Sequence, residues 1–287
     1  MGRPGRLKTA LAVVPVAALA ACGGTASNAG APHPDGASTM TPTGAPSPSA
    51  TGSPSSSGGP LTAESAGKPL AGKTITVDPG HNGGNEKHLS IINKLVSAGP
   101  FKKPCNTTGT DTNAGYPEHA FTWDVANRLA AILRKEGAKV VMTRSNDTGV
   151  GPCVNERAAI GNKAHSNAVI AIHGDGAKAS GYGFHVIEPQ LIKGYTDSIV
   201  APSAKLGVAI RNAFHSGTGE AYSSYLGHNG LDVRGDLGGL NLSKVPAVFI
   251  ECGNMRNKGD AAKMTSAAWR EKAAEALAAG LANYLKG

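Results

Sequence analysis

The sequence predicts an open, mostly parallel α/β sheet with helices on both faces, folded as a single domain. Two observations carry this. Short β-branched runs alternate with longer segments of helical period, the order expected when each strand is followed by a helix that crosses back over the sheet. No internal repeat is present, and residues 71–287 are enough chain for one well-buried core.

Lys73-Thr74-Ile75-Thr76-Val77-Asp78 reads as the first strand, stopped by Pro79-Gly80. After a long insert from Asn82 to Tyr116, Pro117 opens a helix where no N–H donor is needed. Phe121, Val125, Leu129 and Ile132 lie along one face of it, and Gly137 ends it. A strand (Lys139 to Thr143), a helix (Val154 to Ala164) and a strand (Ala168 to Ile172) follow. Phe184 to Glu188 reads as a strand and Ser203 to Phe214 as a helix. A buried strand, Ala247 to Ile250, precedes a last helix with Leu277, Leu281 and Leu285 at successive turns.

The beginning of the chain is built differently. Arg3, Arg6 and Lys8 precede an apolar stretch from Leu11 to Ala21, the layout of a secretory signal too short to persist as a membrane span. It ends in Leu19-Ala20-Ala21-Cys22-Gly23, which resembles a bacterial lipobox; residues 1–22 are read as a signal peptide and Cys22 as a lipid-anchored first residue, with an ordinary small-residue cleavage site and plain secretion as the alternative. Residues 23–70 are rich in Ser, Thr, Pro, Gly and Ala, with almost no large apolar side chain, and are expected to be a disordered tether. The formal charge of +8 falls to +5 once the signal's three cations are removed, a balance suited to an anionic surface. No basic run interleaved with aromatics is present, so nucleic acid is not an expected partner.

Chemistry collects at the ends of predicted strands. His81 follows the first strand, His173 follows Ala168–Ile172, and Glu251 follows Ala247–Ile250. Open α/β sheets gather ligand-binding residues beyond the carboxyl ends of their strands. Glu118, in the first turn of the long helix, can reach the same edge. Two His and one Glu form a catalytic zinc set with a position left for water, and a second Glu is then available as the base. The same residues have plainer readings. There are nine His in the chain, and Glu118 could serve only to complement a helix N-terminus. His185 reads as a packed or hydrogen-bonded residue within a strand, His88 as a surface residue, and Asp124 as a structural or supporting group.

Val77-Asp78-Pro79-Gly80-His81, Pro117-Glu118, Val141-Met142-Thr143-Arg144, Asn155-Glu156-Arg157-Ala158, Val169-Ile170-Ala171-Ile172-His173 and Val245-Pro246-Ala247-Val248-Phe249-Ile250-Glu251-Cys252-Gly253 occur in this order. The ordered set resembles the zinc-dependent N-acetylmuramoyl-L-alanine amidases of the type-3 amidase family. Leu237-Gly238-Gly239-Leu240-Asn241-Leu242-Ser243 and Glu251-Cys252-Gly253-Asn254-Met255 resemble its mycobacterial and actinobacterial branch. The resemblance implies that His81, Glu118 and His173 hold one Zn2+, that Glu251 is the catalytic carboxylate, and that the substrate is the muramoyl–L-alanine amide of peptidoglycan. The signal and the lipobox imply action outside the cytoplasm, with the membrane as a partner through Cys22, and a monomer is expected. The chain departs from the family's pattern at Ala171 and Asp175, where Ser and Asn are usual, and at Asn254, where Phe is usual; these departures put substrate contacts in question. A zinc peptidase acting within the stem peptide and a non-catalytic wall-binding lipoprotein are the alternatives. With Cys22 lipidated, Cys105, Cys153 and Cys252 remain. A Cys105–Cys153 disulfide is expected, pinning the long insert, with Cys252 a packed thiol.

Overall fold

The computed structural model describes residues 67–287. The signal peptide, Cys22 and all but the last residues of the expected tether lie outside them. Leu70, placed at the tether's end by composition, is fully buried, and its amide donates to the Glu136 carbonyl. The packed domain thus already includes it.

In chain order the elements are β1 (Thr74–Pro79), a single 3-10 turn (Glu86–His88), α1 (Leu89–Ile92), β2 (Leu95–Ser97), β3 (Lys102–Pro104), α2 (Glu118–Lys135), β4 (Lys139–Met142), α3 (Val154–Lys163), β5 (Ala168–Asp175), β6 (His185–Pro189), α4 (Val200–Thr218), β7 (Leu231–Arg234), α5 (Gly238–Asn241), β8 (Ala247–Asn254), α6 (Lys258–Met264) and α7 (Ala267–Lys286). Six strands form one sheet in the order β4-β1-β5-β8-β6-β7, and β2 and β3 form a separate antiparallel hairpin. β4, β1, β5 and β8 run parallel. β6 is antiparallel to β8 and parallel to β7, so the last two strands reverse the sheet's direction. The mostly parallel α/β class is therefore the observed one.

The two faces of the sheet are covered unequally. Side chains alternate along a strand, so Ile75 and Val77, Ile170 and Ile172, and Val248 and Ile250 share one face. They meet Phe121, Val125 and Leu129 of α2, Leu206, Ile210 and Phe214 of α4, and Leu277 and Leu281 of α7 in the main core. Leu133 rather than Ile132 completes the buried stripe of α2. Among the described residues, the other face carries α3 and α5, over a small cluster of Ile187, Leu240 and Ala247. This thinner cover leaves room for a cavity.

Several predicted boundaries move. Strand pairing continues past Ile172 and Ile250, so His173 and Glu251 sit within β5 and β8 rather than after them, as register partners. His185 starts β6 instead of lying inside it. Pro117 is the N-cap of α2, leaving Glu118 as its first residue, and Gly137 (φ 96°) follows the helix end in the left-handed conformation that glycine tolerates best. Pairing reaches beyond the apolar run because backbone hydrogen bonds do not require apolar side chains.

Candidate active site

His173 and Glu251, both on the thin face of the sheet, stand side by side across β5 and β8. His81 reaches them from the turn after β1, and Glu118 from the first turn of α2. His81 has a left-handed backbone (φ 57°), an uncommon conformation for a residue with a side chain. Two arginines hold that turn. Arg157 of α3 donates to the Asp78 carboxylate at 2.6 Å, the Pro79 carbonyl at 2.6 Å and the His81 carbonyl at 2.7 Å. Arg144 donates to the Pro79 carbonyl at 3.1 Å and the His119 carbonyl at 2.9 Å, tying the turn to α2. Burial works against ionisation of Asp78, but Arg157 and Thr143 hold its carboxyl below the ordinary range.

The ligand atoms of His81, Glu118 and His173 all lie within 4.8 Å of one another. Glu118 Oε1 is 3.1 Å from His81 Nε2 and 2.9 Å from His173 Nδ1. Each donor is oriented from behind. The His81 Nδ1 lies 3.1 Å from the Thr107 carbonyl, which can only accept; Nδ1 therefore carries the proton and Nε2 presents its lone pair to the site. Glu118 Oε2 accepts from the Thr110 amide at 2.9 Å, leaving Oε1 between the two rings. The His173 ring stacks on Phe249 with centroids 3.9 Å apart. It also lies so close to Gly80 that a Cβ there would stand 2.2 Å from its Cε1. Burial opposes ionisation of Glu118, yet the two imidazoles hold its carboxyl far below the usual range. Glu118 raises the affinity of His81 for a proton against the effect of burial, whereas burial dominates at His173 and lowers it. Two oriented imidazole nitrogens and one ionised carboxylate oxygen are the donor chemistry of a zinc site.

Glu251 is a different kind of carboxylate. Its Oε2 is buried without a hydrogen-bond partner. Burial, then the Glu118 and Asp175 carboxylates, push its proton affinity well above that of an ordinary Glu, with Arg234 opposing. An unpartnered buried carboxylate beside a candidate metal site is poised to accept and release a proton. A cavity of about 430 Å3 opens over all four residues, walled by α3, α5, the β3 end and residues 106–109.

The disulfide Cys105–Cys153 joins the insert to the start of α3, and Cys252 is a buried free thiol, as expected. The remaining sequence candidates fall outside the centre. His88 is exposed and its ring bonds the Gly84 carbonyl. Asp124 pairs with Arg128 and with Arg270 of α7, a tie between α2 and α7. His185 is fully buried, but neither ring nitrogen has a partner, so it is packed and not hydrogen-bonded. Asn254 is also fully buried, and its side chain holds the Lys178 and Gly181 carbonyls. Sequence reasoning missed Thr107 and Thr110, which orient His81 and Glu118, because they lie in an irregular loop without periodicity. It quoted Arg144 and Arg157 without reading their task.

Comparison with known proteins places the chain among amidases. The chain is 40% identical over 231 residues to an N-acetylmuramoyl-L-alanine amidase of Mycobacterium tuberculosis, covering 79% of this chain and 92% of that protein. The crystal structure of the N-acetylmuramyl-L-alanine amidase Ami1 from Mycobacterium smegmatis superimposes with a TM-score of 0.71 at 39% identity, over 76% of this chain and 98% of that one. The amidase AmiC2 of Nostoc punctiforme shares the fold at 21% identity, with a TM-score of 0.58 over 76% of this chain and 99% of its own. Residues 75–283, the span from β1 almost to the end of α7, match the description N-acetylmuramoyl-L-alanine amidase, and the chain belongs to that family.

Proposed function

We propose that this protein is a zinc-dependent hydrolase of the amide between N-acetylmuramic acid and L-alanine in peptidoglycan. The observation that carries the reading is the convergence of His81, Glu118 and His173 with the unpartnered Glu251 beside them in one cavity. His81 Nε2, Glu118 Oε1 and His173 Nδ1 are the atoms that would hold the ion. Zinc, when bound, supplies Lewis acidity toward a carbonyl oxygen and toward water. Glu251 takes a proton from the attacking water on its free Oε2 as the carbon–oxygen bond forms. It then returns that proton to the L-alanine nitrogen as the carbon–nitrogen bond breaks. Phe249 and Gly80 fix the His173 ring, and Thr107 keeps His81 in the tautomer that can bind metal. The protein acts as a monomer outside the cytoplasm, tethered to the membrane by a lipid on Cys22 through the Ser- and Pro-rich segment.

The test is metal content and turnover in one substitution. Glu251→Gln keeps the side chain's size but cannot take the proton. It should keep its zinc while turnover falls by at least about 10²-fold. Loss of zinc in this variant would make Glu251 a ligand; unchanged turnover would remove it from the mechanism.

A further inference from the structure

The insert between β1 and α2 presents a surface that the proposed chemistry does not use. Ile92, Ala98 and Cys105 are buried and seat α1 and the β2–β3 hairpin on the domain. Asn241 of α5 donates to the Ala98 carbonyl at 3.0 Å, the Cys105 amide donates to the Lys94 carbonyl at 2.7 Å, and the disulfide to Cys153 closes the base. Held in this way, the segment turns Leu89, Ile91, Leu95 and Phe101 to solvent, with 50%, 42%, 64% and 38% of their surface exposed. Among the described residues these are four of nine exposed large apolar side chains, and the other five are spread from Tyr182 to Val233. Single exposed apolar residues are ordinary, whereas a concentration on one short segment marks an interaction surface.

Charge follows the same segment. From Lys87 to Thr110 there is no Asp or Glu. Lys87, Lys94 and Lys102 are exposed, and none of them makes an ion pair among the described residues. On the hairpin, Leu95 pairs with Pro104 and Ser97 with Lys102 on the exposed face, while Val96 and Lys103 form the half-buried one. Lys103 is thereby turned inward, 3.7 Å from Asp236 and on the wall of the catalytic cavity.

We propose that this face docks on the surface of an anionic lipid bilayer. Leu89, Ile91, Leu95 and Phe101 enter the headgroup region, and Lys87, Lys94 and Lys102 meet the lipid phosphates. Charge complementarity selects this occupant. A second copy of the chain, meeting the same face, would set these lysines against their own counterparts. A soluble polyanion would satisfy the lysines and leave the four apolar side chains in water. A bilayer surface rewards both, since interfacial binding grows with buried apolar area and with attraction to anionic lipid together. Lys103 and Pro104 of the same hairpin line the catalytic cavity, so docking also brings that cavity close to the bilayer. The proposal depends neither on the amidase reading nor on a lipid at Cys22. Where such a lipid is present, this face supplies the second signal that stable attachment requires.

Phe101→Trp in the full chain reads the contact locally, with Trp123 of α2 and Trp269 of α7 as a constant background. The vesicles carry brominated acyl chains and are made either of equal parts phosphatidylglycerol and phosphatidylcholine or of phosphatidylcholine alone. On the anionic vesicles the new indole's emission should shift to the blue and be quenched; on the neutral ones it should do neither, even if the N-terminus holds the protein there. Each lysine near an anionic surface is worth about fivefold in partition. Adding Lys87→Gln, Lys94→Gln and Lys102→Gln should therefore lower the docked-to-undocked ratio, read from the extent of quenching, by at least about tenfold. No quenching on anionic vesicles, equal quenching on neutral ones, or quenching unchanged by the three lysine substitutions would each overturn the proposal. A blue shift with poly-L-glutamate and none with vesicles would overturn it too, and would assign the face to an acidic chain.

Discussion

Glu118 Oε1 faces two imidazole nitrogens at 3.1 and 2.9 Å, and its partner oxygen is committed to a backbone amide. Such a carboxylate has no freedom to seek another role. Ala at His81, Glu118 or His173 removes one of three donors, so each variant should bind zinc weakly and lose turnover with it, measured as metal per chain after dialysis. Gly80→Ala tests the support instead of the ligand. Its Cβ would stand 2.2 Å from the His173 ring, so His173 must move, and zinc retention should fall although no ligand has changed. Normal metal content there would show that the ring has another place to go. At this scale the sequence was informative wherever a residue's role follows from its element. His81, His173 and Glu251 follow apolar β-branched runs, and Glu118 opens a long helix. Thr110 acts through an amide and Thr107 through a carbonyl, with its hydroxyl 3.2 Å from the same His81 nitrogen, and in an irregular loop neither threonine stands out from its neighbours.

Among the elements, the insert between β1 and α2 matters beyond its length, because residues 107–110 orient two of the three candidate ligands. The Cys105–Cys153 bridge holds that segment against α3 over a sequence separation of 48 residues. The loop-entropy estimate for removing such a bridge is about 4 kcal/mol. Replacing both cysteines by Ser should lower thermal stability by an amount of that order and loosen zinc binding together. A variant that loses stability but holds zinc as tightly would separate the brace from the site. β6 and α4 make a second test. Burial of Glu188, where Gly207 of α4 packs on its carboxyl, raises its pKa from 4.5 to about 7, with Arg211 opposing. The folded state then holds a proton that the unfolded chain has released, so its contribution to stability falls as pH rises between those values. Glu188→Gln should remove this fall; identical melting profiles against pH for the two proteins would exclude it. The hairpin and β7 were illegible because their strands are only three or four residues long, too short for a period to be read, and none of their side chains is fully buried. The reversal at β6 was illegible because parallel and antiparallel pairing leave the same apolar pattern in a covered strand.

As a whole molecule the protein concentrates its stability on one face of the sheet and its chemistry on the other. α2, α4 and α7 bury the main core, whereas α3 and α5 cover the opposite face only in part. Leu277→Ala, fully buried in α7 on the core face, should cost about 2–5 kcal/mol and leave the zinc affinity of the folded protein unaltered. Alternation in β5 and β8 predicts this division, since the same strands send Ile170, Ile172, Val248 and Ile250 one way and His173 and Glu251 the other. The membrane tether is tested on the intact chain. Cys22→Ala should abolish partition into detergent, and a wild-type protein already soluble with an unmodified N-terminus would remove the anchor.

The central claim concerns one bond. Mass spectrometry of the products formed by the zinc-loaded protein from a defined muramoyl-peptide tests it most directly. The account predicts a free N-acetylmuramic acid carboxylate together with an intact stem peptide bearing a free L-alanine amine. Products that retain the muramoyl–L-alanine bond and are cut within the peptide would contradict it.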